Sequence, residues 1–91
     1  MVEDANQDPL AWSPQISQEE DGTYRVAITD EDGVTYPVGR KLTSGQAGLL
    51  VLWIQKEHEK SGRRVAEVIR DPEFMASSIL VVKQTRGRAP G

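Results

Sequence analysis

Residues 43–60, TSGQAGLLVLWIQKEHEK, form the one segment of this chain that has to be buried, and they decide the fold. Thr43 and Gln46 have the spacing of a capping box, which satisfies free amide groups at the start of a helix. Gly62 can adopt the left-handed conformation with which helices often end. The sequence therefore predicts one long central helix between these signals.

One face of this predicted helix carries an apolar stripe. Its members recur at helical spacing and are Ala47, Leu50, Val51, Ile54 and His58. Leu49, Leu52 and Trp53 lie off the stripe, so the middle of the helix is apolar nearly all round. Such a helix is sandwiched, either inside its own domain or between its domain and a partner. We predict that Leu49, Leu52 and Trp53 bind a partner wherever later elements leave them uncovered.

The later elements offer cover through Val68, Ile69 and Phe74. If these residues enclose Trp53, it belongs to the core and the partner-binding hypothesis loses its main surface. If they do not, an exposed apolar patch marks an interface, because soluble monomers rarely leave a large one in water. The sequence leaves both alternatives open.

Length and composition limit the class of protein. A chain of 91 residues makes one domain, and it has no cysteine for a disulfide or a thiolate site. The longest apolar run is the six residues 49–54, whereas a membrane span needs about 20. The first residues are acidic and lack the basic start and apolar core of a signal peptide. We expect a soluble, cytoplasmic protein without a membrane partner.

The net charge of −3 conceals a division between the two parts of the chain. Residues 1–38 contain nine acidic residues and one basic residue, whereas residues 39–91 contain five acidic and ten basic residues. The simpler interpretation is an acidic tail followed by ordinary solvated helix surfaces. The alternative is two patches that face different partners.

Residues 1–21 are predicted to be a disordered acidic tail, because their polar composition buries too little to offset the entropy of ordering. Within the tail, DPLAWSPQI holds the apolar residues Leu10, Trp12 and Ile16 between and beside two prolines. One hypothesis is that this motif folds back onto its own domain. The other is that it docks in extended form on a partner protein.

Residues 24–38 predict a β-hairpin. Tyr24, Val26 and Ile28 alternate with polar or small residues, and the same alternation returns after an Asp-Gly turn. Pro37 lacks an amide hydrogen, so the second strand should be an edge strand. Because an isolated hairpin is marginal in water, its apolar face should rest on the central helix.

After Gly62 the chain predicts a short helix over residues 63–70 and a further helix capped by Asp71, with Pro72 at its first position. Residues 79–82, ILVV, are rich in β-branched side chains and either end that helix or form a third strand; we favour the strand. The expected fold is α+β, a β-hairpin packed on a long central helix with one or two short helices. The domain should span residues 22–84, followed by a flexible basic tail over residues 85–91.

The inventory of reactive groups predicts no enzyme, no cofactor and no metal site. His58 is the only histidine, and near a helix C-terminus it favours a structural role. The acidic turn over residues 30–32 lacks the calcium-loop pattern and is expected to be solvated. Gly48, inside the central helix, should allow the hairpin to pack closely, or else a partner helix.

The segments LTSGQAGLLVLWIQKE, RRVAEVIRDPEF and SSILVV together resemble winged helix-turn-helix domains over about half the chain. The resemblance implies DNA binding, with Ser77 and Ser78 near base edges. It implies phosphate contacts by the basic residues Arg63, Arg64, Lys83, Arg86 and Arg88. The turn over residues 71–73 is acidic where phosphates would approach, which favours a protein partner over nucleic acid.

The hairpin-then-helix order also resembles the three-stranded DNA-binding modules of some integrases, although Arg25 is the only base on the predicted strands. The function predicted here is a non-catalytic interaction module whose partner is a protein or a second copy of the chain. Abundant Arg, Val and Gly with little Phe or Asn is typical of small accessory or regulatory proteins of high-GC bacteria or their phages.

Overall fold

A three-stranded antiparallel sheet and three helices make up residues 12–85, which is the part of the chain that this computed structural model describes. The strands are β1 (Ser13–Gln18), β2 (Tyr24–Thr29) and β3 (Thr35–Leu42). The helices are α1 (Ser44–Ser61), α2 (Val65–Ile69) and α3 (Pro72–Thr85). The strand order is β1-β2-β3, and the helices pack against the sheet. The predicted α+β fold, with a hairpin packed on a long central helix, is confirmed.

The predicted hairpin is formed by β2 and β3, and its apolar face rests on α1. Gly33 in the turn has a φ of 83°, the left-handed conformation that the Asp-Gly pair predicts. Pro37 lies on the edge strand β3, as predicted, because β3 pairs only with β2 within the described residues. β3 is longer than the sequence indicated: it continues past Val38 to Leu42, which is fully buried.

The prediction of disorder over residues 1–21 is wrong for Ser13–Gln18, which form β1. Every residue of β1 is exposed, yet each pairs in register with a residue of β2. The composition of this strand gives no sign of burial because its stabilisation comes from backbone pairing with β2 rather than from a buried face. Of the remaining tail, residues 1–11 lie outside the described residues, whereas residues 12 and 19–21 flank β1.

Both ends of α1 are as predicted. Thr43 and Gln46 form a reciprocal capping box, in which the amide of Gln46 donates to Thr43 Oγ1 and the amide of Thr43 donates to Gln46 Oε1. Gly62 ends the helix with a φ of 75°. Ala47, Leu50 and Ile54 from the predicted stripe are fully buried. They join the core, whose other members are Val26, Ile28, Val38, Leu42, Val65, Val68 and Val82.

The predicted third strand at residues 79–82 is wrong, because these residues are the continuation of α3. Asp71 caps this helix as expected, accepting from the amides of Glu73 and Phe74. The amide of Phe74 lowers the pKa of the Asp71 carboxyl. Within α3, Ser78 and Val82 are buried whereas Leu80 and Val81 are exposed. Burial at a spacing of four residues is helical, and packing against α1 outweighs the weak β propensity of the segment.

Candidate protein-binding site

The site begins with the flank of α1 that faces α3. Trp53 and Leu49 lie on this flank, partly buried, and both pack against the core. Leu52, one step further round the helix, is 42% exposed. The buried stripe of α1 points toward the sheet. The flank beside that stripe is therefore covered only where α3 packs against it.

A cleft of about 360 Å³ runs between α1 and α3. Trp53 and Phe74 both line it, and both are anchored in the core. The residues that line the cleft are Trp53, Lys56, Glu57, Lys60, Phe74, Ser77, Ser78 and Val81. Next to it, Val81 is exposed and Leu80 is 60% exposed. Of the two alternatives for Trp53, the structure therefore gives an intermediate: the tryptophan is anchored in the core but opens onto a cleft.

Of the three residues predicted to cover Trp53, only Phe74 lines the cleft beside it. Val68 is fully buried within the core cluster, and Ile69 packs against that cluster from outside. Neither residue lines the cleft. Helix α2 and the first turn of α3 are too small to enclose both the sheet-facing stripe of α1 and its flank. The flank therefore stays partly open.

The rim of the cleft is positively charged at one end. Lys56 and Lys60 lie one helical turn apart on α1, both exposed. Neither forms an ion pair with another residue in the range 12–85. Glu57, between them in sequence, is engaged by Arg63 at 3.4 Å. An occupant of the cleft would therefore meet an apolar floor and two lysine ammonium groups.

The two described apolar residues of the Trp12 motif, Trp12 and Ile16, differ in their exposure. Trp12 is half-buried, packs against the core and meets the ring of His58 edge-on, with 6.2 Å between the ring centroids. It therefore folds back onto its own domain, which was one of the two hypotheses. Ile16, on β1, is 47% exposed. Leu10 lies outside the described residues.

Two of the bases predicted to contact phosphates are engaged by carboxylates. Arg63 lies between Glu57 and Asp71, at 3.4 Å and 3.3 Å. Arg64 pairs with Asp32 at 2.7 Å. A phosphate would have to displace these acidic partners, which weakens the electrostatic attraction that DNA binding depends on.

The other predicted DNA contacts that the structure describes are Ser77, Ser78 and Lys83. Ser78 is buried against α1, so its side chain cannot reach a base edge. Ser77 is exposed but lines the cleft beside Trp53. Lys83 is exposed near the end of α3. Arg86 and Arg88 lie outside the described residues.

The outer face of the sheet, opposite the helices, is polar. Gln15, Thr29 and Thr35 are joined across the three strands by hydrogen bonds of 2.7 Å and 2.8 Å. Arg25, the base expected from the integrase-like order, pairs with Glu19 at 3.3 Å. Arg40 lies 3.9 Å from the same carboxylate. This face therefore offers paired rather than free bases.

The acidic turn is a structural element that the sequence interpretation missed, since it was expected to be solvated. Asp30 is buried, and its Oδ1 accepts from the amides of Asp32 and Val34. Glu31 accepts from the amides of Val65 and Ala66 at 2.7 Å and 3.1 Å. The turn thus caps α2 from a distant part of the chain. No local sequence signal predicts this cap, because Glu31 and helix α2 are more than thirty residues apart.

His58, for which the sequence predicted a structural role, makes a hydrogen bond near the end of α1. Its Nδ1 lies 2.6 Å from the carbonyl oxygen of Arg63. Because a carbonyl oxygen can only accept, Nδ1 is the donor in this bond. The contact joins the end of α1 to the segment before α2. Nowhere in residues 12–85 do three or more histidine or acidic side chains converge in a way that could hold a metal ion.

Comparison with known proteins gives no match: no family model, no curated protein and no solved structure resembles this chain closely enough to be significant. Within the described residues, no helix combines the length and the apolar character needed to cross a bilayer. Any functional assignment therefore depends on the geometry of the chain itself.

Proposed function

We propose that this protein is a non-catalytic module that binds another protein through the α1–α3 face. This face consists of Leu49, Leu52, Trp53 and Val81 together with the cleft between the two helices. The observation that carries the proposal is the open cleft beside Trp53, together with the exposed side chain of Leu52, at 42%.

The physical support is the free energy of covering apolar surface. Fully burying a side chain such as leucine or valine contributes about 1.5–3 kcal/mol relative to leaving it in water. The cleft, at about 360 Å³, is large enough to receive an apolar side chain from a partner. An anchored tryptophan that lines such a cleft is typical of the residues that dominate binding energy.

The lysines on the rim add selectivity. Lys56 and Lys60 favour a partner that places carboxylates next to its apolar anchor, because opposite charges speed association and fix orientation. We expect that partner to be a protein segment with one apolar face and acidic residues at one end.

The test is a partner titration with matched surface variants. Proteins captured on the tagged chain are identified, and the affinity of each is then measured by calorimetry against wild type, Leu52→Lys and Val34→Lys. Leu52 and Val34 are both aliphatic and similarly exposed, at 42% and 45%, but Val34 lies in the hairpin turn. We expect Leu52→Lys to weaken binding by tenfold or more and Val34→Lys to leave it unchanged.

Circular dichroism of each variant checks that the fold survives. The proposal is wrong if every captured protein binds Leu52→Lys as tightly as wild type. Trp53→Ala provides a second measurement, because removing the anchor should abolish capture while the helix content persists.

A further inference from the structure

The outer edge of β1 is an exposed strand edge of the described residues. All six residues of β1 are exposed, and none of them is charged. On its inner side β1 pairs with β2, whereas no strand within residues 12–85 pairs with its outer side. Natural proteins usually protect such an edge with lysines or other charges, because free amides and carbonyls invite another strand.

The two prolines in the sheet, Pro14 and Pro37, indicate which backbone N–H and C=O groups point toward the free edge of β1. In an antiparallel pair, a residue turns both of its backbone groups either toward the neighbouring strand or away from it. Pro37 lies opposite Ala27 and has no amide hydrogen to donate to it. The backbone N–H and C=O of Ala27 therefore point toward β1, where Gln15 lies opposite. The residues that alternate with Gln15 on β1 therefore point outward, and Pro14 fits that assignment because it too lacks a donor.

The residues whose backbone groups point toward the free edge are Pro14, Ile16 and Gln18. Ile16 and Gln18 each present both an amide and a carbonyl at the free edge, and Pro14 presents only a carbonyl. The side chain of Ile16 shares the helix-facing side of the sheet with its cross-strand partner Val26, which is buried. Because α1 lies over β2 and β3, Ile16 remains 47% exposed at the middle of the edge.

We infer that the edge of β1 binds the same edge of a second copy of this chain, antiparallel and centred on Ile16. The two Ile16 residues exchange amide–carbonyl hydrogen bonds across a twofold axis. Gln18 of each copy donates to the carbonyl of Pro14 of the other. The two exposed isoleucine side chains meet on the helix-facing side of a continuous sheet, which removes both from water.

Charge favours this antiparallel arrangement of two identical copies. Acidic residues follow β1 at one end, where Glu19 and Asp21 form the turn to β2. In an antiparallel pair centred on Ile16, the two copies of Glu19 are six residues apart along the strands, about 20 Å. Because the Debye length is about 8 Å at physiological salt, repulsion between the two turns is screened. A parallel pairing would place the acidic turns side by side.

This interaction uses a surface separate from the α1–α3 face. It makes use of Ile16, an exposed apolar residue of the Trp12 motif that the proposed function leaves unexplained. A dimer formed through β1 would present two copies of the α1–α3 face, and each would stay accessible to a partner.

The test is the mass in solution, measured by sedimentation over a concentration series on the full chain. We expect wild type to approach twice the chain mass and Ile16→Lys to stay at the single-chain mass at the same concentrations. Val34→Lys, which changes a similarly exposed aliphatic residue at 45%, should dimerise as wild type does. Pro14→Thr gives each copy a further outward donor, and we expect it to tighten the dimer by about tenfold.

Cross-linking locates the contact, since the chain has no cysteine of its own. With a short bis-maleimide, Ile16→Cys should give dimers in high yield, and Val34→Cys should give only the background from collisions. Cross-linking by Leu52→Cys but not by Ile16→Cys would overturn the inference, because the second copy would then occupy the α1–α3 face. A wild type that stays at the single-chain mass at all concentrations, with Pro14→Thr no different, would also overturn it. Ile16→Lys should keep its affinity for a partner of the α1–α3 face, so the two proposals can fail independently.

Discussion

At the scale of single residues, glycine shows how a position in the sequence can mislead. Gly48 lies inside α1 and was expected to allow the hairpin to pack closely, yet a Cβ there would meet nothing within 4 Å. The close approach occurs at Gly39 on β3. A Cβ at Gly39 would lie 2.7 Å from Leu50 Cδ2 and 3.2 Å from Leu42 Cδ1. Helix α1 therefore sits against β3 at a point where only glycine leaves room.

Alanine substitutions at the two glycines should have opposite effects on stability. Gly39→Ala forces a methyl group against Leu50, which is fully buried and has little room to move, so we expect a loss of about 1–3 kcal/mol. Gly48→Ala fills open space on an exposed helix surface and should stabilise the protein by up to about 1 kcal/mol. Urea unfolding of both variants beside wild type gives the comparison. Equal effects would show that helix α1 does not pack on Gly39 in solution.

At the scale of elements, α2 depends on the hairpin turn. It is only five residues long, which is too short to be stable alone. Glu31 holds its first amides, and Asp32 pairs with Arg64 just before it. At its other end, Arg70 donates to the hydroxyl of Tyr36 on β3. The hairpin thus fixes the short helix from both sides.

This dependence predicts an acid-sensitive contribution to stability from Glu31. Burial would raise the pKa of Glu31, but the amides of Val65, Glu31 itself and Ala66, with the charge of Arg64, outweigh it and lower the pKa. A carboxyl whose pKa is lower in the folded state stabilises above its unfolded pKa, and the contribution disappears as pH falls through the folded value. We expect Glu31→Gln to cost about 1–3 kcal/mol at neutral pH. The difference from wild type should shrink as pH falls below about 4.5.

Glu67→Gln is the matched control, since Glu67 lies on α2 but is exposed. Urea unfolding at several pH values should show little effect of this variant at any of them. A Glu31→Gln effect that is the same at pH 3 and pH 7 would contradict the capping role of the carboxylate.

At the scale of the whole molecule, the acidic and basic parts of the sequence neutralise each other. Lys41 meets Asp21 at 2.6 Å, and this hydrogen bond holds the pKa of Asp21 far below its usual range. Arg64 likewise meets Asp32 across the hairpin and α2. Exposed pairs of this kind add little to stability. Because of these ion pairs, the acidic and basic parts of the sequence do not form two separate patches of opposite charge where the pairs lie.

From this neutralisation we predict that DNA binding is weak. Anisotropy titrations against mixed duplexes at physiological salt should give no sequence-selective complex. The reason is that Arg25, Arg63 and Arg64 are already paired with carboxylates and that Ser78 is buried. Selective binding tighter than about 10⁻⁷ M would contradict this expectation and favour the winged helix-turn-helix resemblance.

The sequence by itself determined the elements whose signals are local. The capping box at Thr43, the left-handed Gly62, the Asp-Gly hairpin turn and the Asp71 cap all depend on residues within a few positions of one another. The buried stripe through Leu50 and Ile54 was also readable, because helical periodicity alone shows which side of α1 must leave water.

Only the tertiary structure decided the features that depend on distant partners. β1 exists because β2 offers it a backbone ladder, and nothing in the composition of SPQISQ signals that neighbour. Residues 79–82 are helical because α1 provides a surface at helical spacing, which outweighs local β propensity. Glu31 caps a helix more than thirty residues away. Trp53 packs against the core yet lines a cleft, because the size of α3, not the pattern of α1, sets how far the flank is covered.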